Sequence, residues 1–120
     1  MKKWLLLLLL PSTTYGDFLD VFDARVPLPR LNQFEAKDRI ESGECQAGVY
    51  FHVRRSGFRS VNNLAVDVLK NLENSGANAY VLVSHQMAGF GGHREATAEV
   101  VPLRCSEEAL AEMRDQPEAV

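Results

Sequence analysis

The chemistry open to this 120-residue chain rests on three histidines, two cysteines and a short run of arginines. His85, His93 and Glu95 fall close together, and imidazoles with a carboxylate can hold a transition metal. His52 stands apart from them. No histidine has the ligand spacing of an established zinc site, and neither cysteine has a CxxC partner. The expectation is a chain without a cofactor, with His85, His93 and Glu95 as the alternative small-ligand or metal site.

Nucleophilic catalysis finds less support. Ser84 is adjacent to His85, but neighbours on a strand point to opposite faces, and the chain has no G-x-S-x-G turn. The glycine-rich stretch from Met87 to Arg94 lacks the Lys-Ser/Thr and the following helix of a phosphate-binding loop, and reads as a hairpin. The chain is therefore expected not to be an enzyme. Arg54, Arg55 and Arg59 remain, three arginines within six residues just ahead of a helix start. Together with the backbone N–H groups at that helix end they could dock an acidic partner, a lipid headgroup or a phosphate. The plainer reading is a solvated loop that aids solubility.

The elements that must position these residues begin after an address. Lys2 and Lys3 precede an apolar run from Trp4 to Leu10, and small polar residues follow to Gly16. That pattern is a signal peptide, residues 1–16, with the cut expected after Gly16. Seven apolar residues fall far short of the roughly 20 that span a bilayer, so the mature chain is expected to lack a transmembrane segment. The alternative is membrane association through an uncleaved N-terminus. Residues 11–20 contain no cysteine to carry a lipid anchor. Periplasmic or secreted localisation follows. The chain has 13 basic and 16 acidic residues, and losing Lys2 and Lys3 leaves a net charge of −5. Such acidity argues against nucleic acid as a partner.

Cys45 and Cys105 are the only cysteines. In a small exported domain they are expected to form one disulfide. Closing a loop of this length is worth about 4 kcal/mol in the chain-entropy estimate.

Residues 17–37 contain Pro27 and Pro29 and read as an extended N-terminal arm. Residues 38–105 form the domain. Ile40 to Val53 reads as a strand, strongest from Gly48 onward, with Gly43 and Gly48 suggesting a bulge or bend. Ser60 is the expected N-cap of an amphipathic helix whose apolar face carries Val61, Leu64, Ala65, Val68, Leu69 and Leu72. Gly76 ends it in the left-handed conformation. Val81-Leu82-Val83 reads as a strand buried on both faces. Strand, helix and strand make a β-α-β unit. Glu95 to Arg104 adds a third, antiparallel strand, which Pro102 would place at an edge. Residues 106–120 form a short helix capped by Ser106 and a frayed tail. The fold class is α+β, with one main amphipathic helix packed on the sheet.

A cysteine on the first strand, this helix, Gly76-Ala77-Asn78-Ala79 running into Tyr80-Val81-Leu82-Val83, and a cysteine on the last strand resemble small Gram-negative envelope proteins of the RcsF-like type. These include an outer-membrane stress sensor and related lipoproteins. The resemblance covers about residues 38–105, and its most specific piece is LKNLENSGANAYVLVS, residues 69–84. It implies a disulfide-bonded envelope domain with an envelope protein as partner. The sensors carry a lipid-anchored cysteine and two disulfides, whereas this chain has one possible pair and places Ser84-His85 where they have another cysteine. The resemblance thus bears on fold, disulfide and compartment before signalling.

Overall fold

The computed structural model describes residues 18–89 and 93–115. The expected signal peptide, the hairpin tip Phe90-Gly91-Gly92 and the tail from Gln116 lie outside the described residues. In chain order the elements are α1 (residues 18–25), β1 (Arg30–Leu31), α2 (Gln33–Glu41), β2 (Cys45–Ala47), β3 (Phe51–Ser56), α3 (Ser60–Asn74), β4 (Ala79–Ala88), β5 (Glu95–Cys105) and α4 (Glu107–Asp115).

The fold is α+β, a mixed five-stranded sheet with helices on both faces. β1 pairs with β4 in parallel, and β5 pairs antiparallel with β4 on one side and with β2 and β3 on the other. β3, α3 and β4 make the expected β-α-β unit, but β5 is inserted between its two strands. The core splits accordingly. On one face, Phe18, Phe22 and Val26 join Leu64, Val68 and Leu72 of α3 over Tyr80, Ala98 and Val100. On the other, Ala36 of α2 and Ala109 and Leu110 of α4 cover Ala79, Val81, Leu103 and the cysteines. Burying this apolar surface on both sides is the main stabilising term.

The N-terminal arm is not extended. Residues 18–25 are helical, with Phe18 and Phe22 fully buried one turn apart and Val26 one turn further on. Pro27 and Pro29 lie beyond its last residue, so their missing N–H groups end the helix without interrupting any of its turns. α2 then starts at Asn32, whose side-chain oxygen accepts from the Glu35 N–H at 2.8 Å. Ile40 therefore belongs to a helix. Arg39 on that helix pairs with Glu35, Glu44 and Glu112, and so ties α2 to the turn before β2 and to α4.

α3 buries the face its periodicity predicts. Its cap differs. Arg59 occupies the N-cap position without a side-chain bond, and Ser60 is the first helical residue, buried with an Oγ that has no partner among the described residues. The other end matches expectation. Gly76 has φ +72°, its N–H donates to the Glu73 carbonyl, and the Ala77 N–H donates to that of Leu72. This pair of bonds satisfies carbonyls that the helix leaves open. Asn78 follows at once and bonds the end of β5 through its side chain, accepting from Cys105 N–H and donating to Cys105 C=O. Ser106 caps α4 through Ala109 N–H.

Pro102 lies in the central strand, not at an edge. Its own N and C=O face the β2/β3 side, where Gly48 N–H donates to Pro102 C=O. Beyond Gly48 the ladder breaks until Phe51 pairs with Val100. The missing proline N–H thus falls where the ladder is already interrupted, which removes the cost that excludes proline from inner strands. Gly48 and Pro102 fit each other closely: a Cβ on Gly48 would stand 3.0 Å from the Pro102 ring.

Candidate functional site

Two bulges flank β5 at the same level. On one side, three steps from Gly48 to Phe51 oppose two steps of β5, so the segment Val49–Tyr50 arches outward. On the other side, the register of β4 shifts between Leu82 and Ser84, leaving Val83 as an extra residue. Bulges of this kind re-aim side chains. Val83, read as buried, is partly exposed for this reason. The residues re-aimed are Tyr50 and Ser84, and both hydroxyls donate to the Glu99 carboxylate, one to each oxygen. These two bonds, Ser84 first, hold the Glu99 carboxyl below its ordinary value, and His52 directly across the ladder adds to the effect. The same bond raises the Tyr50 phenol above its ordinary value. A carboxylate held in this way is a fixed anion and a poor proton acceptor.

Tyr50 links this clamp to a groove. The arch from Gly48 to Tyr50 and the C-terminal half of α3 enclose about 580 Å³, within the range of ligand sites. Its walls are mixed. Val49, Phe51 and Pro102 are apolar, while Asn71, Asn74 and Arg104 are polar. Arg104 donates to the Ser75 carbonyl at 2.8 Å, and Val49 is 86 % exposed at the rim. A second, smaller recess of about 280 Å³ lies between α2 and the opposite sheet face, lined by Ile40, Val81, Val83 and Val101.

The residues singled out by sequence are dispersed. Arg54 and Arg55 are neighbours on β3 and point to opposite faces. Arg54 pairs with Glu95 and Arg55 with Asp67 of α3, each at 2.6 Å, and Arg59 is at the helix entrance with no ion pair among the described residues. His85 stacks on Phe18 at 4.5 Å on the α1 side of the sheet, and burial together with Arg30 lowers its pKa. Glu95 lies on the other side, and His93 is exposed in the hairpin. Among the described residues no group of three His, Cys, Asp or Glu side chains converges as a metal would require. Cys45 and Cys105 are bonded to each other. The Glu99 clamp and the Arg104 groove were not legible in the sequence, because their members are brought together by the two bulges.

No family model matches the chain, and no curated protein or solved structure matches it. No helix among the described residues is long and apolar enough to cross a membrane.

Proposed function

We propose that the chain is a non-catalytic, exported binding domain of the bacterial envelope, related to the RcsF-like proteins, that holds a partner segment in the groove beneath the Gly48–Tyr50 arch. The observation that carries this reading is the groove itself: about 580 Å³ of mixed polar and apolar wall, with Val49 exposed at its mouth and Tyr50 tied back to Glu99. Such a wall is set before a ligand arrives, which lowers the ordering cost of binding. The non-catalytic reading draws on Ser84, whose hydroxyl hydrogen is committed to Glu99, and on two cysteines bonded to each other. Export draws on the N-terminal pattern of residues 1–16, and the relationship to the RcsF-like group on the Cys45–Cys105 staple and on Asn78 in the GANA junction, which fastens β4 to β5.

The test is site-specific photocrosslinking in exported protein. A photoreactive residue at Val49 is expected to capture one discrete envelope partner, while the same residue at Phe34, exposed on α2, captures none. Equal capture from both positions, or intact mass beginning at Met1 in a membrane pellet, overturns the reading.

A further inference from the structure

We infer that the groove beneath the Gly48–Tyr50 arch binds the free C-terminal carboxylate of an extended polypeptide with an apolar last residue; this rests on the groove being the binding site. The charge balance of the walls is the first reason. The lining contains one charged side chain, Arg104, and no carboxylate, although the chain as a whole is acidic. Among the described residues no Asp or Glu pairs with Arg104, whose bond runs to the Ser75 carbonyl. The C-terminus of α3 ends beside it, and that end carries about half a negative charge. A full guanidinium charge exceeds this, so the groove floor is net positive, and four further N–H donors remain for an anion. Of the acids on the neighbouring elements, Asp67 pairs with Arg55 and Glu99 accepts from Tyr50 and Ser84, while Glu73, next to Asn74 in the chain, is not part of the lining.

The shape supplies the second reason. The wall runs from Gln46 to Phe51, up to about 16 Å at the rise of an extended chain, which suits several residues of polypeptide better than a compact small molecule. Gln46, Asn71 and Asn74 line it, and each side-chain amide has donors and an acceptor of the kind that match a peptide unit. Asn71 gives one N–H to the Asp67 carbonyl, which leaves its side-chain oxygen to accept. Val49, Phe51 and Pro102 provide the apolar contact for a side chain next to the carboxylate. Capture of a chain terminus by clustered donors is an established mode of peptide recognition.

The test uses the exported full chain, labelled with nitrogen-15, and four probes: acetyl-Ala-Ala-Ala-Phe as the free acid, the same peptide ending in carboxamide, N-acetylphenylalanine, and acetate. The free acid is expected to shift the backbone amides of Gln46–Phe51 and Asn71–Ser75. The carboxamide is expected to bind at least about tenfold more weakly, the loss of one charge-assisted contact. R104Q should lose the same factor for the acid and no longer distinguish acid from amide, while R54Q, on the opposite face, should behave as the parent. Thermal midpoints of both variants near that of the parent exclude misfolding as the cause. Equal binding of acid and carboxamide overturns the carboxylate assignment. Equal binding of N-acetylphenylalanine and the tetrapeptide overturns the polypeptide assignment. Crosslinking from Val49 that persists while no probe shifts these amides overturns this inference and leaves the groove as the binding site.

Discussion

Cys45 and Cys105 face each other directly across the β2–β5 ladder, their Cα atoms 4.0 Å apart and both side chains buried. The bond joins two strands that already pair, so its contribution lies in the 60-residue separation it closes rather than in new native contacts. C45A/C105A is expected to lose roughly 2 to 5 kcal/mol in urea unfolding. Reductant without denaturant should leave the native bond intact, because neither sulfur is open to attack. Rapid reduction in the folded state, read by alkylation and mass, would contradict this.

Phe22 is fully buried against Tyr80, with ring centroids 6.0 Å apart. If residues 18–25 belong to the cooperative fold, F22A should cost about 3 to 5 kcal/mol. A cost below about 1 kcal/mol by chemical denaturation would mean that this helix docks weakly and separately.

Gly76 carries the left-handed turn that ends α3, and a Cβ there would stand 2.9 Å from the Arg104 guanidinium. The guanidinium is the far end of a flexible side chain and can move, so the backbone term dominates. G76A is expected to destabilise by about 1 to 2 kcal/mol, and to do so equally in an R104A background. A cost that disappears with R104A would make the contact the cause.

Tyr80 places a hydroxyl in the core with no partner among the described residues, and burial raises its pKa well above the ordinary value. Removing an unpaired buried hydroxyl relieves a desolvation cost of about 1 to 3 kcal/mol. Y80F should therefore be as stable as the parent or more so. A clear loss of stability would reveal a buried water holding that oxygen.

Acid should weaken the fold in two stages, and both signs follow from lowered values. His85 is neutral and partly buried, and its folded pKa lies below the unfolded one. Its contribution is present above the ordinary histidine value of about 6.5 and is lost as pH falls through the folded one. Glu99 is lowered as well, so its contribution survives until pH falls below the ordinary glutamate value of about 4.3. H85Q should flatten the upper stage of a urea midpoint–pH curve and E99Q the lower. S84A should raise the Glu99 titration midpoint measured by NMR, and an unmoved midpoint would remove the clamp.

The second half of the chain was largely legible because its signals are local. The spacing of Val61, Leu64, Val68 and Leu72, the stop at Gly76 and the apolar run at Val81 each state one element without help from elsewhere. In the first half, Phe18, Phe22 and Val26 recur every fourth residue and mark a helix, but the signal is only two turns long and runs straight into Pro27 and Pro29. Asn32 with Glu35 three residues on was a readable helix start, but α2 buries only Ala36 fully, so its period is faint. Pro102 misled for a different reason: whether a missing N–H matters depends on what lies opposite, and the break after Gly48 is a tertiary fact. The Glu99 clamp draws on residues 15 and 49 positions away, and no local pattern announces it.

The extra residue at Val83 makes β4 two short strands in series with opposite parity. Tyr80 and Leu82 face the α3 layer before it, and His85 and Met87 face that same layer after it. Counting residues across that point therefore gives the wrong face for everything beyond, and the same holds across Val49–Tyr50. For comparing this chain with another, the natural units are the blocks 45–48, 51–56, 79–82 and 84–88. Insertions and deletions belong at the two arches between them, where a change of one residue alters the length of a bulge and not the side of the sheet on which a core residue lands.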